Sequence, residues 1–384
     1  MQAWLRGWED VREEDLEAVR KLLASGALSV VSGGILTRFE RAFARFAGTA
    51  HAVAFCNGTA ALYAALWACG VGAGDEVLVC DYGFHGMAAA VVSLGAVVVP
   101  VDCRPDSLTM DAEDLARARS DRTRAVLVHN PWGVPADWSA LRAACPDLPF
   151  VSDASHAHGA CYAGEPLGRQ ATVTCWSMGH QKLISGGELG AAATDDPELR
   201  DRMVILGHTN RRELAVNPWT GNAVGLKLRP HPVALTLALG QLKRFEEKLS
   251  ALRETCARVE AAFESAGLRK QAVPRGAERS YWRVVLHCPF EVAEVEARLR
   301  NAGVPAEPNH YWPTLQHQPL FTWPGRTVRH RSCPVAREVV PRLVTLPAPA
   351  RLAKEALESA VRVVSGQAAT RGIHEPVPER GGAV

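Results

Sequence analysis

At 384 residues, with 47% hydrophobic and 22% charged residues, the chain has ordinary globular composition and enough length to bury a core, which excludes wholesale disorder. Forty-three Lys and Arg stand against 41 Asp and Glu, a formal net charge of +2, so nothing in the balance draws the chain to nucleic acid or an anionic membrane. The length suggests two or three domains, at roughly 150 residues each.

No run of about 18 apolar residues free of charge is present, and the opening Met1–Asp10 lacks the basic-then-apolar order of a secretory signal. The ten cysteines are scattered without a CxxC pair, several of them inside apolar runs, so neither a zinc site nor a disulfide framework is predicted. These features predict a soluble cytoplasmic protein with reduced thiols and no metal. No internal repeat is present, which excludes solenoids and propellers.

In chain order, residues 13–24 place apolar side chains at helical spacing until Ser25-Gly26 stops them, and a second helix fits Leu36–Phe46 with Phe39, Phe43 and Phe46 on one face. Short apolar runs then alternate with helical stretches: His51–Phe55, Glu76–Cys80, Val97–Val101, Ala125–Val128, Phe150–Val151, Val173–Trp176 and Gly190–Ala193. This pattern predicts an α/β domain whose mostly parallel sheet is covered by helices on both faces. Long helices are expected from Pro230 to about Phe263, then a strand at Arg283–His287, a helix near Val292–Ala302 and a last one near Ala353–Val364. The expected division is a large domain over 1–249, a smaller C-terminal α+β domain over 250–365, and a disordered tail over 366–384, rich in Gly, Pro and charge.

Three segments carry chemistry. In Phe55-Cys-Asn-Gly-Thr-Ala-Ala-Leu a strand runs through Asn57-Gly58-Thr59 into an apolar helix, an arrangement that suits an anion at the helix N-terminus and equally an ordinary capped start. In Pro149-Phe-Val-Ser-Asp-Ala-Ser-His-Ala-His-Gly-Ala a strand delivers Asp153 and His156 at its carboxyl end. There Asp153 serves either a cationic ring nitrogen or a helix cap, and His156 and His158 also fit a satisfied core. The third segment is Cys175–Gly190, around Lys182. The chain has seven lysines against 36 arginines, and Lys182 alone of the seven lies in a Ser/Gly-rich turn between two apolar strands. Arg cannot deprotonate, whereas a desolvated Lys becomes the free amine that forms a Schiff base.

Together these pieces make the protein side of a pyridoxal 5'-phosphate site. Gly58, Thr59 and Ala60, helped by Ser177, would cradle the phosphate, Asp153 would keep the pyridine nitrogen protonated, and Phe84, after the strand end at Cys80, would hold the ring face or simply pack in the core.

The chain resembles the DegT/StrS-type sugar aminotransferases, fold type I pyridoxal phosphate enzymes. The resemblance runs from Ser32 to about Val364 through Gly33-Gly-Ile-Leu-Thr-Arg-Phe-Glu, Asn57-Gly-Thr-Ala-Ala-Leu, Asp153-Ala-Ser-His-Ala-His-Gly-Ala, Ser177 to Lys182 and Gly187-Glu188. It continues in Gly225-Leu-Lys-Leu-Arg-Pro-His-Pro, His310-Tyr311, Cys333-Pro-Val-Ala and Leu346-Pro347. It implies a homodimer with active sites at the subunit interface, and amino transfer from L-glutamate or L-glutamine to a keto-sugar, often nucleotide-linked, or a keto-cyclitol, as in amino-sugar or antibiotic biosynthesis. It assigns Lys182 as the cofactor lysine and proton carrier, with Gly58, Thr59, Ser177, Asp153 and Phe84 in the cofactor roles above. Relatives often carry Gln where this chain has His156, beside the cofactor's phenolic oxygen. They often carry Asn, reaching across the dimer to the phosphate, where this chain has Lys227. Glu188, Arg211, His310, Tyr311 and Trp312 fall in the substrate loops, each equally compatible with loop packing. The same fold and cofactor also support dehydration, epimerisation or amination of another carbonyl metabolite, and less readily a non-catalytic regulatory role. Some relatives that dehydrate sugars have His in place of the cofactor lysine, so Lys182 argues against that branch.

Overall fold

The computed structural model describes residues 10–30, 33–209, 212, 215–216, 225–307, 311–349 and 352–368. Its helices are α1 (Glu13–Ala24), α2 (Gly34–Ala47), α3 (Gly58–Ala68), α4 (His85–Val92), α5 (Ala112–Ala118), α6 (Trp138–Ala144), α7 (Pro197–Gly207), α8 (Pro232–Lys243), α9 (Phe245–Glu264), α10 (Val292–Asn301), α11 (Pro334–Val339) and α12 (Lys354–Ala368). Its strands are β1 (His51–Phe55), β2 (Glu76–Cys80), β3 (Val97–Val101), β4 (Thr123–His129), β5 (Phe150–Asp153), β6 (Cys161–Tyr162), β7 (Glu165–Pro166), β8 (Val173–Ser177) and β9 (Gly190–Thr194), then β10 (Arg269–Lys270), β11 (Ala277–Glu278), β12 (Arg283–His287) and β13 (Leu343–Pro347).

Seven strands form one sheet in the order β1-β9-β8-β5-β4-β2-β3. The neighbours from β8 through β3 pair in parallel, and β9 runs antiparallel to both β8 and β1. The physical reason for the apolar runs is visible in β2. Val77 and Val79 enter the core on one face of the sheet, with Phe55, Leu66 and Leu127, while Leu78 and Cys80 enter the core on the other, with Phe39, Val126 and Trp176. The expected phenylalanine face of α2 forms, with Phe43 edge-on to Trp176 at 5.2 Å and Phe46 edge-on to Phe245 at 5.3 Å.

A smaller antiparallel sheet, β10-β12-β13, carries the C-terminal part, with β12 and β13 paired from Arg283↔Pro347 to His287↔Leu343. The expected division at 249/250 falls inside α9, a continuous 20-residue helix that joins the two parts. The last helix reaches Ala368, past the expected start of the tail at Gly366, and residues 369–384 lie outside the described residues. A third sheet, β11-β6-β7, had no sequence signal, because its two-residue strands are too short for an alternating pattern. All ten cysteines lie among the described residues as free thiols, and no described helix is long and apolar enough to cross a membrane.

Candidate active site

The site is built where the parallel strands end. β5 closes on Asp153 and β4 on His129, its partner in the parallel register. β8 closes on Ser177, and β1 leads through Cys56 and Asn57 into α3. Asn57 caps that helix, its Oδ1 accepting from the Ala60 amide at 2.8 Å, so Gly58 and Thr59 occupy the positive first turn. Gly58 sits against the end of β8: a Cβ there would stand 2.7 Å from Ser177 Cβ. Ser177 is tied to Asp153 through Ser155, whose Oγ accepts from the Ser177 amide at 3.0 Å and whose own amide donates to Asp153 Oδ1 at 2.9 Å. Thr59 and Phe84 meet at Gly86, where a Cβ would lie 2.9 Å from Thr59 Oγ1 and 2.7 Å from a Phe84 ring carbon. Asp153 is buried, and Phe84 is 43% exposed, so it does not pack as plain core.

Lys182 lies in the loop after β8, and its Nζ sits 4.0 Å from the centre of the Trp282 ring. Part of the residue reaches solvent, yet its amino end lies among buried groups. Desolvation there lowers its pKa to about 7, Asp153 opposing the shift and Arg283 adding to it. His156 is buried and stacks on Trp282 with ring centres 3.8 Å apart and planes 20° apart. Its Nδ1 accepts from the Trp132 amide at 3.4 Å, and its Nε2 lies 3.1 Å from the Tyr311 hydroxyl. Burial first, then the charge of Lys182, holds His156 well below the usual histidine range, so its ring is neutral. Burial likewise lowers His158 to about 3 and lifts the Tyr311 phenol well above its usual range.

The structure therefore gathers Gly58, Thr59, Ser177 and Asp153 on one sheet edge, with Phe84 at Thr59, His156 within electrostatic reach of the Lys182 amine, and Tyr311 hydrogen-bonded to His156. Ala60 spends its amide on the Asn57 cap. Glu188, Lys227 and Trp312 are exposed, and among the described residues no hydrogen bond or ring contact joins them to Lys182 or Asp153. Lys227 lines a groove with Leu28, Val30, Arg229 and His231, while the next carbonyl, of Leu228, accepts from the Cys56 amide at 2.7 Å and fastens that segment to the end of β1. Arg211 and His310 lie outside the described residues.

Sequence reasoning missed the aromatic wall. Trp132 stacks parallel to Trp282 at 5.4 Å and donates its indole N–H to the Tyr82 hydroxyl at 2.7 Å. Its neighbour Gly133, at φ +100°, lets that turn press on Ser280, whose carbonyl would stand 2.2 Å from an added Cβ. Arg283 donates to Gln181 Oε1 at 3.1 Å and pairs with Glu307 at 3.1 Å. The one available signal was Tyr281-Trp282-Arg283, large and cationic side chains leading into a strand.

Known proteins resemble this chain over most of its length. Residues 9–365 match the DegT/DnrJ/EryC1/StrS aminotransferase family. The chain belongs to that family. It is 32% identical over 303 residues to the L-glutamine:2-deoxy-scyllo-inosose aminotransferase of Streptomyces lividus, covering 75% of this chain and 70% of that one. The crystal structure of 3-amino-5-hydroxybenzoic acid synthase superposes with a TM-score of 0.86 at 25% identity, over 95% of this chain and 98% of that one. A sugar aminotransferase from Micromonospora echinospora superposes with a TM-score of 0.83 at 25% identity, over 94% of this chain and 98% of the other. The fold is that of the type I aminotransferases, and the protein is an aminotransferase.

The residues present fit pyridoxal phosphate. The Gly58 cradle, which a single Cβ would fill, offers first-turn amides and the Ser177 hydroxyl to an anion. A carboxylate and an amine of lowered pKa share the space beyond it.

Proposed function

We propose that this aminotransferase uses pyridoxal phosphate to move an amino group from L-glutamine or L-glutamate to the keto carbon of a keto-cyclitol or keto-sugar, in amino-sugar or antibiotic biosynthesis. The observation that carries this reading is Lys182, an amine brought down to about 7 beside Asp153 and within the sheet edge that holds the Gly58–Ser177 cradle. Gly58, Thr59 and Ser177 would hold the phosphate, Asp153 the pyridine nitrogen, Phe84 a ring face and His156 the phenolic side. The cofactor supplies an electron sink for the carbon that loses a proton. Lys182 Nζ, its basicity lowered by burial, would take the proton from the donor α-carbon, and in the second half-reaction the same atom would deliver a proton to the former keto carbon of the acceptor. His156, neutral and fixed by Trp132 and Tyr311, orients without adding a charge.

The donor and acceptor choice is supported by the 32% identical relative, an L-glutamine:2-deoxy-scyllo-inosose aminotransferase. A homodimer with the site at the interface is part of the proposal. Its support is that Phe84, Leu226 and Trp312 are exposed apolar side chains. A cytoplasmic setting is proposed from the free thiols. The test pairs each donor with scyllo-inosose, 2-deoxy-scyllo-inosose and a nucleotide-linked 4-keto-sugar and follows the new amine by mass spectrometry. Aminated product from at least one acceptor is expected. Donor consumption without any aminated ring, or dehydrated product instead, would move the chemistry to another reaction of the same fold.

A further inference from the structure

Trp282 stands just before β12 and is the least expected member of the site. Its backbone amide donates to the Trp132 carbonyl at 3.3 Å, its ring stacks parallel to Trp132, and Trp132 is anchored on Tyr82, so the indole plane is set by three elements. That fixed plane meets the Lys182 loop twice. The ring receives Nζ at 4.0 Å, and the indole N–H donates to the carbonyl of Gln181, the residue before Lys182, at 2.8 Å. Gln181 holds φ at +65°, a conformation that a residue with a side chain keeps only when its surroundings enforce it. On the far side of Lys182, Lys248 Nζ donates to the Leu183 carbonyl at 2.7 Å. The carbonyls of the two residues that flank Lys182 are thus tied down.

We propose that Trp282 is the positioning residue of Lys182: its ring face receives the ammonium whenever Nζ is not covalently engaged, and its N–H sets the peptide from which the side chain starts. The proposal rests on the reading of Lys182 as the cofactor lysine. An aromatic face attracts a cation, and Trp does so most strongly, the more so where water is excluded. Among the groups that face the amine, Asp153 favours the ammonium, whereas Arg283 and burial oppose it. His129, His156 and His158 sit within electrostatic range, each with a burial-lowered pKa that leaves it neutral near pH 7. Lys248, on α9, is a further cation behind the loop. Trp282 and Asp153 are therefore the two features that keep Nζ protonatable and in place.

The experiment mixes the cofactor-free full chain with pyridoxal phosphate in a stopped-flow instrument between pH 5.5 and 9.5 and follows the visible band of the lysine-bound cofactor. The rate rises with the free-amine fraction of Lys182 and so reports its apparent pKa. Wild type, Trp282→Phe and Trp282→Leu are compared. The apparent pKa should fall in that order, by about one unit for Leu, a tenfold loss of proton affinity, and by about half of that for Phe. Equal values in all three chains would overturn the proposal, and so would equal falls for Phe and Leu, which would trace the effect to the indole N–H alone. Should the Leu chain fail to fold, Trp282→Met, which also lacks a ring and adapts to irregular space, takes its place with the same fall expected. A wild-type chain that develops no band would overturn the cofactor reading instead, and this proposal with it.

Discussion

Replacing Gly58 with Ala sets two effects of similar size against each other, and the structure says which prevails. Gly58 opens α3 and is not among the glycines at positive φ, so on helix propensity alone the substitution gains up to about 1 kcal/mol. The new methyl, however, would stand 2.7 Å from Ser177 Cβ, 3.0 Å from its Cα and 3.2 Å from its amide nitrogen. Two of these three atoms are backbone of β8, a strand paired on both sides, so relief requires α3 to move away from β8 by about an ångström. Overpacking of this kind costs about 1–3 kcal/mol, which leaves a net loss of up to about 2 kcal/mol after the propensity gain. The same movement draws the first-turn amides from Ser177. Losing one charge-assisted hydrogen bond, worth about 1.5–3 kcal/mol, weakens cofactor binding about tenfold to a hundredfold. Urea unfolding gives the first quantity, and titration of the cofactor-free chain with pyridoxal phosphate the second. Gly72→Ala is the control, because its Cβ would meet nothing nearer than 4.0 Å. A Gly58→Ala chain as stable as wild type, with undiminished cofactor affinity, would refute the cradle.

Three further outcomes are expected. Asp153→Asn should bind cofactor yet lose turnover by a hundredfold or more, on the order of one strong electrostatic interaction at the reacting centre; a steady-state rate within threefold of wild type would contradict the pyridine assignment. His156→Gln, which installs the residue common in relatives, should leave the acid limb of the pH–rate profile unmoved, because burial already keeps His156 neutral; a shifted limb would mean that the ring titrates. Stability should fall as the pH drops below about 6.5. His158 and His208 are held at about 3 by burial, so between these values the unfolded chain binds protons that the native state refuses, and stability is lost toward acid. Urea midpoints at pH 7.5 and 5 measure this, and equal midpoints would contradict it.

Most of the scaffold could be read from the residues because its strands are buried on both faces. Such strands are written as unbroken apolar runs, and β1, β2, β3 and β12 form with the bounds that those runs predict. Asp153 and Ser177 were legible for a related reason: a strand delivers each to the same sheet edge. Lys182 stood out by rarity in an arginine-rich chain. The aromatic wall was not legible, since Trp132 and Trp282 lie 150 positions apart and an aromatic beside a strand looks like core until the fold stacks it. Lys227 shows the opposite limit, because its place in a motif says nothing of which surface it serves, and in the fold it lines an exposed groove with Arg229 and His231.

The central claim is that one lysine of the seven carries the cofactor. Reduction of the pyridoxal-phosphate-loaded protein with borohydride, followed by digestion and peptide mass mapping, tests it directly. The account predicts the phosphopyridoxyl group on the peptide that holds Lys182 and on no other. Labelling of Lys227 or Lys248 with Lys182 unmodified, or no labelled lysine at all, would contradict it.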